Sequence, residues 1–371
     1  MTTLAPVRTI GIFGGGQLGL MLGNAARPLG IMTVFLEDSP NCPASLTGQV
    51  FTSTQSDRFE SMCDTFTLEF ENTPLEHANH IEKNHKLFPS SHALLIAQDR
   101  LNEKNLFNEL GITTVPFLSV NDLDGLRHAC QQLGLPLVLK TSRGGYDGKG
   151  QFVIRTIDDI ITAWDELGEA TKIAPLIAEG FIDFSREVSI IAVRSQTGEI
   201  RYYPLVENTH SNGILVKTVA PAPNSDHLTW QAQQNIKKLL EHLDYVGVMT
   251  LELFVTDAGL IANEIAPRVH NSGHWTIEGA VCSQFENHIR AVAGLPLGST
   301  DITQPSVMIN IIGQFPDPSQ LLAISGVHFH HYHKEERAGR KIGHITIMTG
   351  DELLNDTVNQ AIECLPNRLG L

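Results

Sequence analysis

Cysteine, aromatic residues, long apolar runs and positive charge are all scarce in this chain. The 371 residues include five cysteines, Cys42, Cys63, Cys130, Cys282 and Cys364, an odd number with no C-x-x-C pair. That excludes a disulfide framework and a thiolate metal knuckle, and it points to a reduced, cytoplasmic setting with buried thiols. No apolar run is long enough to span a bilayer, and residues 1–8 lack the basic and apolar regions of a secretory signal. Aromatics make up 6% of the chain and show no cofactor spacing. The formal net charge of -15 repels nucleic acid and anionic membrane surfaces, so neither is a partner. An anionic small molecule must then be gripped by local basic clusters.

What remains is a 42% hydrophobic globular chain, long enough for two or three domains and free of repeats or low-complexity tracts. Its most informative stretch is residues 246–275, VGVMTLELFVTDAGLIANEIAPRVHNSGHW. Alternation makes a strand of its first part, with Met249, Leu251, Leu253 and Val255 on one face and Val248, Thr250, Glu252 and Phe254 on the other. If Asp257, Ala258 and Gly259 form a three-residue loop with Gly259 left-handed, Thr256 pairs with Leu260 and Glu252 falls opposite Glu264. A two-residue loop puts the two acids on opposite faces. Like charges across a ladder are unfavourable, so the first register makes sense if a divalent cation neutralises the pair, with the amide oxygen of Asn271 as a further hard ligand. The bland reading is an edge hairpin with solvated acids. Against it, Arg268, His270, Asn271, Ser272 and His274 crowd into one loop bounded by Pro267 and containing Gly273, more donors than a connector needs.

Residues 9–13 read as an apolar strand, followed by Gly14, Gly15, Gly16, Gln17, Leu18, Gly19 and a helical pattern to about residue 29. This G-x-G-x-x-G loop suits a phosphate, and Glu37 at the end of the next strand, residues 31–36, stands where a dinucleotide-binding acid belongs. A nicotinamide or flavin oxidoreductase is therefore open at this point, as is a purely structural role for the glycines. The middle of the chain argues otherwise. Residues 135–140 and 151–154 read as strands joined by TSRGGYDGKG, a flap rather than a Walker loop, which needs a helix behind it. Its glycines allow close approach to a triphosphate, and Lys140 and Lys149 supply point charges. A solvated surface hairpin is the plain alternative. The apolar run 176–182 leads into Glu179, Gly180, Phe181 and Ile182, with Glu187 shortly after; such a linker can read an adenine edge and ribose hydroxyls.

The flap RGGYDGKGQ, the linker EGFI with Glu187, and ELF followed by NEIAPRVHNSGHW resemble the ATP-grasp superfamily, whose members join a carboxylate to an amine through an acyl phosphate. Within it, GGGQLG, the NSGHW block and the late GRKIGH (residues 339–344) occur in the same order in the ATP-dependent carboxylases of aminoimidazole ribonucleotide, and the similarity covers essentially the whole chain. The resemblance implies bicarbonate attack on ATP to give carboxyphosphate, then capture by the exocyclic amine, giving N5-carboxyaminoimidazole ribonucleotide, ADP and phosphate for purine biosynthesis. It implies that Arg100, Lys140, the flap residues Gly145, Tyr146, Asp147, Gly148, Lys149, Gly150 and Gln151, the linker residues Glu179, Gly180, Phe181 and Ile182, and Glu187, His210, Asn263 and Glu264 surround ATP. Glu252 and Glu264 hold magnesium. Arg268, His270, Asn271, Ser272 and Lys149 serve bicarbonate or carboxyphosphate. Gln17, Leu18, Lys334, Arg340 and Lys341 hold the ribonucleotide 5'-phosphate, and Tyr146 and Asp147 close over the imidazole with Arg268 nearby. Glu69 and Glu71 of TLEFEN share one strand face, and one of them contacts the ring; the sequence leaves open which. A homodimer is also implied. Rival readings are another ATP-grasp ligase, for example one using formate, the dinucleotide oxidoreductase, and a nonenzymatic nucleotide binder.

The expected architecture mixes α/β and α+β: a Rossmann-like domain at residues 1–98, an ATP-grasp domain at 99–295 with a flap subdomain near 118–182, and a small mainly β domain at 296–371. The tract VHFHHYH, residues 327–333, is expected as a strand of that last domain rather than a metal site, since His328 and His330 face away from His331 and His333.

Overall fold

The computed structural model of the chain describes residues 7–145, 150–350, 356–368 and 370. Three sheets organise it. The first is parallel, in the order β3-β2-β1-β4, from β1 (Thr9–Phe13), β2 (Met32–Leu36), β3 (Gln49–Phe51) and β4 (Thr65–Leu68). Strand β1 is buried along its whole length, the mark of a parallel strand covered on both faces. The helix that follows it, Gln17–Ala26, packs against helix Gln284–Val292 of the central body, so the first domain is fused to the rest through a shared core.

The second sheet is antiparallel, in the order β5-β8-β6-β7, from β5 (Phe117–Val120), β6 (Leu137–Thr141), β7 (Gln151–Ile154) and β8 (Leu176–Gly180). Strands β6 and β7 form the flap hairpin that the sequence indicates, with Lys140 opposite Gln151. Two helices, Leu123–Leu133 and Asp159–Leu167, cover this sheet and give it its own core.

The large sheet contains β9 (Arg186–Arg194), β10 (Ile200–Tyr202), β11 (Val206–Ser211), β12 (Ile214–Ala220), β13 (Gly247–Thr256), β14 (Gly259–Ala266), β15 (Ser306–Ile312), β16 (Val327–His331) and β17 (Lys341–Met348). Its order is β14-β13-β9-β11-β12-β15-β17-β16, with β10 on β9. The three strands after residue 296 thus continue the central sheet through the β12 and β15 pairing rather than forming a separate sheet. The histidine tract is a strand over Val327–His331, as its alternation indicates, and Tyr332 and His333 lie beyond it. His330 stacks on His344 with ring centroids 4.3 Å apart, and its Nε2 meets Glu278 Oε1 at 2.8 Å.

The acid hairpin reaches its expected register by a different route. The turn has two residues, Asp257 and Ala258, and Thr256 pairs with Gly259, not Leu260. Gly259 does take a positive φ of 112°, but inside β14. Continued regularly, that pairing sets Glu252 opposite Asn263. A bulge at Asn263 instead adds one residue to β14, so Leu253 faces Ala262 while Glu252 faces Glu264. No helix among the described residues is long and apolar enough to cross a membrane.

Candidate active site

The two acids sit in contrasting surroundings. Glu264 Oε2 accepts from Arg100 Nη1 at 2.8 Å, and although burial pushes its carboxyl upward, Arg100 holds it below the ordinary range. Glu252 is pushed up to about 7 by burial and then by the charge of Glu264. Its neighbour is His270, whose Nε2 lies 3.2 Å from Glu252 Oε1. The Ser272 N–H donates to His270 Nδ1 at 3.3 Å, which makes Nδ1 the acceptor and leaves the ring proton on Nε2, facing Glu252. Burial keeps this imidazole neutral. The imidazole therefore lies against Glu252 as a neutral ring, and no formal charge balances the acid from that side.

Around His270 the loop is rigid. Gln284 accepts from the His270 N–H at 3.0 Å and returns a hydrogen bond to its carbonyl at 2.6 Å, and Ser272 Oγ lies 2.8 Å from Nδ1. Asn271 is engaged twice by Asn310 of β15: its amide donates to Asn310 Oδ1 at 3.1 Å and its Oδ1 accepts at 2.6 Å. The Asn271 oxygen, expected as a metal ligand, is thus held by a partner that the sequence reading missed. Trp275 is fully buried against Tyr203, which anchors the NSGHW end of the loop.

Among the residues expected around a nucleotide, Lys140 Nζ donates to Glu179 Oε2 at 2.6 Å. Burial raises Glu179, but Lys140 and Lys104 outweigh it and keep the carboxylate charged. Gly180 ends β8, and Phe181 and Ile182 follow it, with Phe181 exposed. Glu187 and His210 meet across β9 and β11, Oε2 to Nδ1 at 3.0 Å. Burial alone would lower His210, yet the Glu187 carboxylate beside it and the charge of Glu252 raise it, so this histidine couples Glu187 to the acid pair electrostatically. Gly145, Gly150 and Gln151 frame the mouth of the flap, while Tyr146, Asp147, Gly148 and Lys149 lie outside the described residues. The flap stalk is docked by Arg143 Nε on Asp99 Oδ2 at 2.8 Å, and Asp99 also caps helix Arg100–Glu109. Phe184 stacks on Phe254 at 4.5 Å. None of Asp99, Arg143 or Phe184 was singled out by sequence, because each acts through a distant partner.

The glycine loop holds a surprise. Glu69, just past the end of β4, lies under it: a Cβ on Gly14 or Gly16 would overlap the Glu69 carboxyl oxygens. Gly15 N–H donates to Glu37 Oε2 at 3.3 Å. The loop's glycines thus accommodate the chain's own acids, and Glu37 is turned onto the loop rather than offered to a ribose. Burial raises Glu69, opposed by Arg268, the Gly19 and Gly16 amides, and Lys334. Beyond this, Gln17 Oε1 accepts from Lys334 Nζ, which ties the loop to the C-terminal basic segment. Lys334 is lowered to about 8 by burial and by the positive charges of Arg340, Lys341 and Arg337, a cluster that includes one arginine not foreseen. Glu71 forms a two-pronged ion pair with Arg268, through Nη2 at 2.8 Å and through Nε. Burial raises Glu71, but this arginine outweighs it and holds the carboxyl below its usual range. Of the two acids left open by sequence, Glu71 is committed to Arg268 and Glu69 to the glycine loop.

Known proteins resemble this chain along its whole length. Residues 7–98 match the ribonucleotide synthetase preATP-grasp domain, 105–285 the ATP-grasp domain, and 306–355 the phosphoribosylaminoimidazole carboxylase C-terminal domain. The chain is 47% identical to the N5-carboxyaminoimidazole ribonucleotide synthase of Pseudomonas aeruginosa over 348 residues, 92% of this chain and 95% of that one. The crystal structure of N5-carboxyaminoimidazole ribonucleotide synthetase from Thermus thermophilus superposes with a TM-score of 0.91 at 45% identity, covering 96% of this chain and 99% of that one. A structure of the Aspergillus clavatus synthase in complex with ADP and aminoimidazole ribonucleotide gives a TM-score of 0.86 at 32% identity, covering 96% and 99%.

Proposed function

The chain belongs to the N5-carboxyaminoimidazole ribonucleotide synthase family, and on that premise we propose that it carboxylates the exocyclic amine of aminoimidazole ribonucleotide with bicarbonate at the expense of ATP. The products are N5-carboxyaminoimidazole ribonucleotide, ADP and phosphate, and the step belongs to purine biosynthesis. The observation that carries this reading is the bulged register that sets Glu252 opposite Glu264 beside the His270 loop.

Each part of the cleft has a task in it. Lys140, Glu179, Glu187 and His210 form the nucleotide wall, and Arg100 reaches from that wall to Glu264. The acid pair fits magnesium: two carboxylates face each other across a ladder, Arg100 is in direct contact with Glu264, and hard oxygen donors are what this ion takes. When bound, magnesium supplies charge neutralisation to the phosphates. Arg268 and His270, fixed by Glu71 and Gln284, orient the bicarbonate-derived group, so that catalysis is positioning and electrostatics. Lys334, Arg340 and Lys341, with the Gln17 and Leu18 amides, hold the ribonucleotide phosphate, which brings the amine toward Arg268. The flap, with Lys149, Tyr146 and Asp147, closes over the acceptor and keeps water from the labile acyl phosphate. A cytoplasmic setting accords with five unpaired thiols, and a homodimer with the family resemblance.

The test is phosphate release from ATP with and without aminoimidazole ribonucleotide and bicarbonate. Turnover that needs both supports the assignment. ATP hydrolysis indifferent to the ribonucleotide would sink the named reaction while leaving the fold intact.

A further inference from the structure

Strand β14, which carries Glu264, is an edge strand, and its bulge decides where that acid points. An edge bulge lacks a neighbouring strand to fix it. Here a single helix face does so instead. From helix Arg100–Glu109, Arg100 reaches the Glu264 carboxylate at 2.8 Å, and Glu103 Oε1 accepts the Ile265 N–H at 2.6 Å. Lys104 Nζ donates to the Asn263 carbonyl at 2.7 Å and reaches the Ala262 carbonyl at 3.4 Å. These three side chains stand at i, i+3 and i+4, the spacing that places them on one face. Thr114 completes the clamp. Its Oγ1 donates to the Ala262 carbonyl at 2.8 Å and lies 3.1 Å from Lys104 Nζ, and the Ala262 N–H donates to the Thr113 carbonyl at 2.8 Å.

Lys104 is entirely buried, and its ammonium also lies 3.8 Å from Glu179 Oε1. Burying an ammonium is expensive, and an apolar residue of similar volume would ordinarily serve the core as well or better. What an apolar residue cannot do is donate to the carbonyls on either side of a bulge. Without such donors the two-residue hairpin can relax to its regular pairing. That slip sets Asn263 opposite Glu252 and turns Glu264 to the other face.

We propose that Lys104 is a positioning residue which, with Glu103 and Thr114, locks the Asn263 bulge and so holds Glu264 across from Glu252 in metal-binding register. By touching Glu179 as well, it joins the nucleotide wall to the metal-binding strand. This rests on the reading that the acid pair holds a divalent cation.

The experiment compares the full-length protein with Lys104→Met, Thr114→Val and Glu264→Gln, using Mn2+ as the probe. Protein-bound Mn2+ is measured by electron paramagnetic resonance in the presence of ADP, and ADP binding is measured separately in EDTA. Lys104→Met is expected to raise the Mn2+ concentration for half-saturation by about 10-fold or more, the usual cost of losing an outer support of a metal site. Thr114→Val, which leaves Glu179 untouched, is expected to raise it by roughly 3-fold while metal-free ADP affinity changes by less than about 3-fold. If Glu264→Gln loses Mn2+ but Lys104→Met and Thr114→Val bind it as the parent does, the positioning role is wrong and the metal reading stands. Equal loss of metal-free ADP binding and Mn2+ binding in Thr114→Val also overturns it, since that marks general disorder rather than a displaced ligand. If Glu264→Gln binds Mn2+ normally, the metal reading fails and the inference falls with it.

Discussion

Two pairs of glutamates, both found by alternation along a strand end, share one electrostatic pattern, a carboxyl raised by burial beside one held down by an arginine, yet differ in what faces the raised carboxyl. Glu69 and Glu71 are quenched from within: one fills the space that Gly14 and Gly16 leave, the other is gripped at two points by Arg268. Glu252 and Glu264 face each other with Arg100 on one of them and a neutral histidine on the other. The first pair is a finished structural and orienting device; in the second the raised carboxyl faces its partner acid, whose charge pushes it further up. A run of acids in a sequence therefore does not announce a cation site. The balance of cationic partners around it does, and that balance is set by contacts far away in the chain.

The comparison can be broken most forcefully at Glu264. Glu264→Gln removes charge where a cation is needed and at the same time relieves repulsion with Glu252. Turnover should fall by about 10³-fold or more, on the scale seen when a key electrostatic group is deleted, while the protein stays folded by circular dichroism. Activity near that of the parent would take the acid pair out of the mechanism. The converse change, Glu71→Gln, leaves the half-buried Arg268 without its carboxylate partner. Its dominant effect should be on stability, a loss of roughly 2 kcal/mol in urea unfolding, because breaking one side of a partly buried ion pair strands the other charge. A loss well under about 1 kcal/mol would mean that Arg268 finds water or another partner as readily.

What the sequence made legible was local. Residues 9–13, 151–154 and 249–256 declare themselves as strands by burial pattern or alternation, and the flap is evident because its glycines lie between two such strands rather than before a helix. The histidine tract at 327–331 reads correctly for the same reason. The hairpin register shows the limit. Glu252 does face Glu264, yet through a bulge at Asn263 rather than through a longer loop, and the bulge is held by Lys104 and Thr114, which stand 159 and 148 residues before the carbonyls they grip. No local pattern can report that. Likewise G-x-G-x-x-G is a genuine loop-then-helix signal, but what fills it is Glu69, brought there by strand pairing. Gln284 and Asn310, which immobilise the His270 loop, lie on a helix and a strand that only the tertiary fold sets beside it.

His288 connects the two acid-bearing strands directly and gives the comparison its finest test. Its Nε2 lies 2.7 Å from Thr67 Oγ1 on β4, and its Nδ1 accepts the Val248 N–H of β13 at 3.0 Å. Both ring positions are thus used by the neutral form, and burial lowers this histidine to about 4. The unfolded chain, titrating near 6.5, binds the proton first as pH falls, so stability is full above about 6.5 and drains away between there and about 4. By pH 5 the loss amounts to about 2 kcal/mol. His288→Gln should be less stable at pH 7 but should lack that component of the pH slope. Urea unfolding of both proteins at pH 7 and pH 5 reads the difference. Equal slopes would mean that acid enters the junction of β4 and β13 without cost, and that the quenched and the open acid pairs are not held together through this ring.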